Sequence, residues 1–330
     1  MLDLSKDIEN VTNVLNLIDS RKGMGLEFDS SDVRRYYDLT TDRDYRVLQW
    51  FFGPGMHTTL DAGPPIGFQG RGTRQSAMVL KHIDTSPRPG VLEVGLKHVD
   101  PDTPLRPVRV LEVGCGRGHC TLFLAGLTPH NVYFHGVDLL GRHIDYAEEA
   151  NVYGPRVQFH SGDACEWEPP DGIKFDLVFG CESMCHLEPE RFIKHVKKFM
   201  NEGAKLIIID GFRSAHFPRC DEMYKSAMVL VEQGFRINEM PSKTTWKRAC
   251  EGNGMRPLED IDYTEEAVPF WSLSYRIASL LLYFPRLVRL YAKSCQRRKE
   301  TVMNLAASCM VAHALEGGAA EYGMLVFKVY

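Results

Sequence analysis

The sequence has 330 residues, enough for one enlarged domain or for a core domain with a smaller accessory region. Apolar residues make up 44% of the chain and charged residues 25%, which excludes a disordered or collagen-like protein. The 39 basic and 43 acidic residues give a formal charge of −4. No nucleic-acid partner is therefore expected, because such proteins usually neutralise phosphates with a basic surface.

Cysteine usage and apolar runs favour a cytoplasmic protein. The nine cysteines are an odd number and include no Cys-x-x-Cys pair, and the N-terminus is acidic. The most apolar stretch, 277–290, is interrupted by Pro285 and two arginines. It is shorter than the ~20 residues that cross a bilayer, so no stable membrane insertion is expected. A buried core helix is the favoured interpretation; a cover over an apolar substrate and contact with a membrane surface stay open.

The first 84 residues are predicted to form a helical cap and substrate lid. Apolar residues between Ile8 and Ile18 recur with the helical period, and Ser31 and Asp32 could cap a second helix. Residues 53–74 are rich in glycine and proline, which predicts a loop. Loops of this length are usually functional or mobile.

The motif VLEVG occurs twice, at 91–95 and at 110–114. Only the second copy continues into a glycine-rich turn and a helix, so we assign it to the first core strand and treat 85–107 as a surface insertion. Strands and helices then alternate through 108–212, which predicts a parallel sheet covered on both faces and forming the cofactor-binding core. Residues 213–330 are predicted to form a C-terminal helical cap with closing strands.

Three ligand-binding signals follow three successive predicted strands. The E-x-G-x-G-x-G turn at 112–118 lets the backbone approach a ligand, and it lacks the G-x-G-x-x-G spacing that suits a diphosphate. Asp138 can accept hydrogen bonds from a ribose diol, and Asp163 from an exocyclic amine. The predicted cofactor-binding residues are Glu112, Gly114, Cys115, Gly116, Gly118, Asp138, Leu139, Gly162, Asp163, Ala164 and Cys181.

The pattern from Arg109 to Gly211 resembles the class I S-adenosylmethionine-dependent methyltransferases. The resemblance implies an enzyme with an α/β fold: a Rossmann-like, seven-stranded sheet, mostly parallel with the last strand antiparallel, between N-terminal and C-terminal helical caps. It implies S-adenosyl-L-methionine as the cofactor. By this resemblance the glycine turn would hold the methionine part, Asp138 the ribose hydroxyls and Asp163 the adenine amine.

The segment 180–187, which follows the fourth predicted strand, lies where this family places its substrate. Methyl transfer depends mainly on in-line positioning, because the sulfonium already activates the methyl group. Glu182 and His186 are the catalytic candidates, since each could act as a base or stabilise positive charge there. The cysteines and histidines have no zinc-site spacing, so no metal site is predicted.

Motifs outside the core bear on the acceptor. Residues 36–42 look like the N-terminal helix of the sterol and tocopherol C-methyltransferases, and 56–57 resemble the following loop of the tocopherol group. The Glu-Ser pair at 182–183 is similar to that of the prenyl diphosphate C-methyltransferases, where the glutamate is the expected base. Residues 268–271 and 316–323 look like the tail shared by tocopherol-type enzymes.

This resemblance implies a small, largely apolar natural-product acceptor. Carbon methylation of an isoprenoid-type substrate (a prenyl diphosphate, a sterol or a prenylated aromatic) is favoured, and the carbocation it forms would need aromatic faces and a nearby carboxylate. N-methylation of an amine or alkaloid, O-methylation of a phenol, and a non-catalytic cofactor-binding protein are the alternatives. A diphosphate acceptor would bring Mg²⁺, and homo-oligomerisation stays open. The candidate substrate-binding residues are Tyr36, Tyr37, Trp50, Met56, His57, Phe270 and Trp271.

Overall fold

A computed structural model describes five stretches of the chain, namely residues 3–18, 28–38, 73–84, 107–293 and 296–330. Three predicted substrate-binding residues lie outside these stretches: Trp50, Met56 and His57. All but the last residue of the predicted surface insertion also lies outside them.

Seven strands form one sheet in the order β3-β2-β1-β4-β5-β7-β6. They are β1 (Val108–Val113), β2 (Val132–Asp138), β3 (Val157–Ser161), β4 (Phe175–Cys181), β5 (Met200–Arg213), β6 (Met255–Asp262) and β7 (Ala320–Val329). The strands from β3 to β5 pair in parallel, whereas β7 runs antiparallel to both β5 and β6. The predicted α/β fold with one antiparallel strand is therefore confirmed, and the second VLEVG copy supplies β1.

Helices cover the sheet and extend beyond it. The described helices are α1 (Leu4–Ile18), α2 (Ser30–Asp38), α3 (Thr73–Leu80), α4 (His119–Leu127), α5 (Gly141–Glu149), α6 (Pro189–Val196), α7 (Glu222–Gly234), α8 (Lys243–Gly252), α9 (Thr264–Leu282), α10 (Pro285–Lys293) and α11 (Gln296–Glu316). α4 and α5 pack on the β2 and β3 end of the sheet, and α8 packs on β6. Helices α1, α7, α9 and α11 pack on one another.

The central strands are apolar on both sides because each side is covered. In β5, Ile207 and Ile209 belong to one core cluster, whereas Leu206 and Ile208 belong to another. Successive side chains of a strand point to opposite faces, so an unbroken apolar run such as this one is typical of a strand buried between two helical layers.

Strand β6 was not predicted from the sequence. Its residues, MRPLEDID, are mostly exposed and contain Pro257, which reads as a polar connection. It is an edge strand paired with β7, and its register shifts between Pro257 and Glu259. An edge strand tolerates a proline because one side of its ladder makes no hydrogen bonds.

The cap of α2 lies two residues before Ser31, the earlier of the two predicted caps. Asp29 Oδ1 accepts hydrogen bonds from the backbone N–H groups of Ser31 at 2.8 Å and Asp32 at 3.0 Å. The N-cap is therefore Asp29, whose carboxylate satisfies two N–H groups that have no partner within the helix. The hydrogen bond from the Ser31 side chain is the main reason that the pKa of Asp29 is lowered.

The sequence favoured a buried core helix for 277–290, and the structure shows that this prediction is wrong. The stretch spans the end of α9, a break before Pro285 and most of α10, and five of its large apolar residues are exposed, although Leu282 is buried. Leu280 is 65% exposed, Leu287 66% and Leu290 75%. Among the described residues, no helix is long and apolar enough to cross a membrane.

A buried polar network ties α1 to the C-terminal helices. Asp7 Oδ2 accepts a hydrogen bond from the Tyr275 hydroxyl at 2.8 Å and lies 3.0 Å from His313 Nε2. The side chain of Asp7 is 13% exposed and that of His313 only 2%, so water replaces these partners poorly. The network fastens the first helix to α9 and α11.

Replacing Asp7 with alanine is expected to lower the free energy of unfolding by about 2 to 3 kcal/mol, because a buried hydroxyl and imidazole lose a charged acceptor. Urea denaturation followed by circular dichroism measures the change. Glu9→Ala is the matched control, since Glu9 is exposed on the same helix and its loss should change stability by less than about 0.5 kcal/mol. Equal stability of the two variants would show that the network does not anchor α1.

Candidate active site

The turn between β1 and α4 is packed on one side and open on the other. Gly114 has φ +69°, and a Cβ there would lie 2.3 Å from the Cβ of Ser183. Gly116 has φ +53°, and a Cβ there would meet nothing within 4 Å. Both conformations favour glycine, but only Gly114 is also required by close contact. The turn therefore leaves open space for a ligand in front of Gly116.

Ser183 holds the segment after β4 against this turn. Its hydroxyl donates a hydrogen bond of 2.6 Å to the backbone oxygen of Val113, the last residue of β1. This contact places the Glu-Ser pair at 182–183 beside the glycine turn.

Two predicted carboxylates lie at the same edge of the sheet, after β2 and β3. Asp138 Oδ2 accepts a hydrogen bond from the N–H of Gly116 at 2.9 Å, and Oδ1 accepts one from Leu140 at 3.0 Å. The N–H of Gly162 donates to the backbone oxygen of Asp138 at 2.9 Å, and Asp163 follows directly. The structure thus brings the glycine turn and both acids together, with Leu139 and Ala164 half-buried beside them.

Three further residues of the predicted cofactor set point their side chains into the protein. The Glu112 carboxylate accepts a hydrogen bond from the N–H of Thr121 at 3.0 Å, inside the first turn of α4. Burial raises the pKa of the Cys115 thiol, and a hydrogen bond with Cys120 together with burial raises that of Cys181. These side chains pack inside the protein next to the turn. The two thiols are neutral and the Glu112 carboxylate already has a partner, so none of the three presents an unpaired charge to a ligand.

Glu182 is held in an unusual conformation. Its φ of 52° lies in the left-handed region, which a residue with a long side chain rarely occupies away from functional sites. Its Oε1 accepts a hydrogen bond of 2.7 Å from the hydroxyl of Tyr322, and that hydroxyl lies 3.4 Å from the donating Nε2 of Gln75. The segment after β4 thus meets β7 through Tyr322, and Tyr322 in turn meets α3 through Gln75.

Asp210 is a second acid close to Glu182, and it was not predicted from the sequence. It is 3% exposed, and it accepts backbone hydrogen bonds from Cys185 at 3.0 Å and Gly211 at 2.7 Å. Burial and the negative charge of Glu182 raise the pKa of Asp210 to about 7. The signal was present in the sequence, since Asp210 directly follows the apolar run 206–209, although β5 continues to Arg213.

Asp210 should make stability depend on pH. Its pKa is higher in the folded protein than in the unfolded chain, so its contribution is complete below about pH 4 and is lost as the pH rises through about 7. Asp210→Asn removes this titration. Between pH 5 and pH 8 the stability of the variant relative to wild type is expected to rise by more than ~1.4 kcal/mol, the equivalent of one pKa unit.

Urea denaturation at the two pH values measures this difference. Asp176→Asn is the control, because Asp176 lies at the start of β4, at the opposite end of the parallel strands from Asp210. A relative stability of Asp210→Asn that is the same at both pH values would contradict the assignment.

His186 and two tyrosines form an aromatic wall near Glu182. The Tyr37 hydroxyl and His186 Nε2 are hydrogen-bonded at 3.0 Å, and the Tyr36 and Tyr37 rings meet edge to face with centroids 4.9 Å apart. Asn304 of α11 donates a hydrogen bond to the Tyr36 hydroxyl, which fixes α2 against the C-terminal helices. Burial lowers the pKa of His186 to about 4, so its imidazole is neutral at physiological pH.

Phe270 and Trp271 lie near the start of α9. Their rings meet edge to face with centroids 5.0 Å apart. Trp271 packs against both the core of the sheet and the core of the cap helices. The structure therefore places this predicted aromatic pair at the junction of sheet and cap. Among the described residues, no group of three or more His, Cys, Asp or Glu side chains could hold a metal ion.

Comparison with known proteins agrees with this architecture. Residues 110–203 match the family model described as a methyltransferase domain. The chain thus carries a class I methyltransferase domain, and the resemblance inferred from the sequence is confirmed. The cofactor of this class is S-adenosylmethionine.

Individual relatives are more distant. A probable tocopherol O-methyltransferase of Oryza sativa is 26% identical over 52% of this chain and 49% of its own length. The S-adenosyl-L-methionine-dependent Diels-Alderase iccD of Talaromyces variabilis is 24% identical over 54% of this chain and 64% of its own length. The chain thus aligns with only about half to two thirds of these relatives.

A solved structure shares the fold at low identity. The geranyl diphosphate C-methyltransferase of Streptomyces coelicolor A3(2), in complex with Mg²⁺, geranyl diphosphate and S-adenosyl-L-homocysteine, superposes with a TM-score of 0.60 at 14% identity. The match covers 91% of this chain and 97% of that one. The similarity therefore includes the capping helices as well as the sheet.

Proposed function

We propose that this protein transfers a methyl group from S-adenosylmethionine to a small, largely apolar natural product, with a carbon of an isoprenoid-type molecule as the favoured acceptor. The observation that carries the proposal is the Glu182 carboxylate. It lies beside the glycine turn in a left-handed backbone conformation and accepts a hydrogen bond of 2.7 Å from the Tyr322 hydroxyl. An acid held in this way is suited to take a proton from the acceptor.

Residues around the glycine turn would hold the cofactor. Open space lies in front of Gly116. Asp138 accepts hydrogen bonds from two backbone N–H groups and lies 3.3 Å from His143 Nδ1, and a carboxylate has about four lone-pair positions, so it would keep capacity for a ribose hydroxyl. Asp163 would accept a hydrogen bond from the adenine amine. When bound, S-adenosylmethionine supplies a methyl group that its sulfonium charge already activates.

Glu182 would serve as the base for a carbon acceptor. An alkene that gains a methyl group becomes a carbocation, which is quenched when a neighbouring carbon loses a proton. The hydrogen bond from Tyr322 fixes the carboxylate that receives this proton. The rings of Tyr36 and Tyr37 supply electron-rich faces to the cation, and His186, being neutral, adds no opposing charge.

O-methylation of a phenol is a second candidate, and it is supported by His186. A neutral imidazole next to the Tyr37 hydroxyl can accept a hydrogen bond from a phenolic acceptor, and the Oryza relative is named as an O-methyltransferase. N-methylation of an amine needs no strong base. The Talaromyces relative, named as a Diels-Alderase, supports a use of the cofactor site without methyl transfer.

The experiment that tests the proposal is a transfer assay with methyl-labelled S-adenosylmethionine. The acceptors are geranyl diphosphate, a sterol, a tocopherol precursor and an indole amine, each with and without Mg²⁺. We expect label on a carbon of an isoprenoid acceptor. Label on oxygen or nitrogen would replace the favoured acceptor with one of the alternatives, and cofactor binding without transfer to any acceptor would contradict the proposal.

A further inference from the structure

The break between α9 and α10 lies in an exposed apolar surface, which we call the α9–α10 patch. Its members are Leu280, Tyr283, Phe284, Leu287, Leu290 and Tyr291. Each is at least 43% exposed, and Leu290 reaches 75%. Single exposed apolar residues are common, but six within one short segment usually mark a binding surface.

Helix α10 has apolar residues on two faces. Ala292 is buried, and Val288 packs with it against the core of the cap helices. Leu287, Leu290 and Tyr291 are three and four positions apart, so they share a face that points away from that core. The inward face attaches α10 to the cap helices. On the outward face, Leu287 and Leu290 are mainly exposed to solvent.

The charge of this segment is opposite to that of the chain. Residues 267–299 contain seven lysines and arginines and no acidic residue, whereas the whole chain carries a formal charge of −4. Two cations lie at the rim of the patch: Lys6 Nζ is 5.5 Å from the centroid of the Tyr283 ring, and Arg298 Cζ is 4.9 Å from that of Tyr291. Arg286 is also exposed, and it lies between Tyr283 and Tyr291 in the sequence.

We propose that the α9–α10 patch docks on the surface of a membrane that contains anionic lipids. Leucine and aromatic side chains flanked by Lys and Arg are typical of segments that lie at the boundary of headgroups and acyl chains, and the negative surface potential of such a membrane attracts basic residues. A second copy of this chain is a poorer occupant, because a symmetric contact would bring two basic, acid-free segments together.

This inference goes beyond the proposed reaction, and it connects to that reaction through α9. The helix has 19 residues, which corresponds to a length of about 28 Å. Phe270 and Trp271 lie in its first half, and Leu280 lies near its end in the patch, about 15 Å further along the helix axis. Docking at this end would hold the protein where an apolar acceptor is dissolved.

Vesicle flotation tests the proposal without any methyl transfer, so its failure is distinguishable from failure of the proposed reaction. The probes are phosphatidylcholine vesicles and vesicles in which roughly one third of the lipid is phosphatidylserine. Wild type is expected to float with the anionic vesicles at low salt and to be released as salt rises. Leu287→Glu combined with Leu290→Glu is expected to reduce the bound fraction about tenfold or more.

Two controls separate the patch from general effects. Val152→Glu also adds an acid at an apolar position, one that is 82% exposed and outside the patch, and it should bind like wild type. Arg286→Glu changes charge alone and should weaken binding to anionic vesicles only. Circular dichroism verifies that each variant is folded. We expect all of them to fold because the substituted side chains are exposed.

Three outcomes would overturn the proposal. They are no flotation of wild type with anionic vesicles, unchanged flotation of the double variant, and equal, salt-insensitive binding to neutral vesicles. Sedimentation velocity measures whether a second copy of the chain occupies the patch instead. A dimer that forms in wild type without lipid and is lost in the double variant would assign the patch to a second copy of the chain.

Discussion

Replacing Glu182 with glutamine is expected to lower kcat for an isoprenoid acceptor by about 10²- to 10⁴-fold, the usual contribution of a positioned general base. Glutamine keeps the size of the side chain and can still accept a hydrogen bond from Tyr322, but it cannot take up the proton that the cation releases. The KM for S-adenosylmethionine should stay the same, because the Glu182 side chain is not among the groups proposed to hold the cofactor. Steady-state kinetics with labelled cofactor measures both parameters.

Glu202→Gln is the matched control for this substitution. Glu202 is exposed near the start of β5, and its loss should leave both parameters unchanged. Tyr322→Phe removes only the hydroxyl that orients the carboxylate, so it should lower kcat by a smaller factor than Glu182→Gln. If Glu182→Gln transfers methyl groups to an amine at the wild-type rate, the base is unnecessary and N-methylation becomes the better assignment.

Replacing Gly114 with alanine is expected to weaken cofactor binding at least tenfold. A left-handed conformation costs a residue with a Cβ roughly 1 to 2 kcal/mol. In addition, the new Cβ would lie 2.3 Å from the Cβ of Ser183, close to the backbone of the segment after β4. Either the turn or that segment must move, and both border the cofactor site. Isothermal titration with S-adenosylmethionine should show at least a tenfold loss of affinity, a change of about 1.4 kcal/mol.

Gly154→Ala is the control for backbone strain without the contact with Ser183. Gly154 also has a positive φ, of +57°, but a Cβ there would meet nothing within 4 Å, and the residue lies outside the candidate site. This control should lose stability through backbone strain and keep its cofactor affinity. Equal affinities for the two variants would mean that contact with Ser183 does not shape the site.

The sequence was sufficient to predict the core of the fold because its signals are local. The run from Leu206 to Ile209 is apolar at every position, which is how a strand buried on both faces must read. The glycine turn and Asp138 follow such strands directly, so parallel pairing alone brings them to one edge of the sheet. Asp210 directly follows the apolar run 206–209, so the sequence carried a local signal for it as well.

Other features depend on contacts between distant segments. The partnership of Tyr322 with Glu182 joins residues 140 positions apart through the antiparallel pairing of β7 with β5. β6 is an edge strand whose polar sequence resembles a loop. The exposure of Leu287 and Leu290 could not be predicted either, because the helical period places apolar residues on a face without saying whether that face meets protein or solvent.

The pairing of β6 with β7 has a consequence for how this protein can be altered. Asp262 of β6 pairs with Gly323 of β7, and the N–H of Tyr263 donates to the backbone oxygen of Tyr322. The chain therefore leaves the sheet after Tyr263 and returns to it at the neighbouring position, as in a hairpin whose connection has grown to include α9, α10 and α11. Because closing a longer loop adds little entropy cost, this connection can vary in length without changing the sheet, provided that α11 keeps its packing on α1 and α7. Phe270, Trp271 and the α9–α10 patch thus lie in one segment between β6 and β7, separate in sequence from the glycine turn.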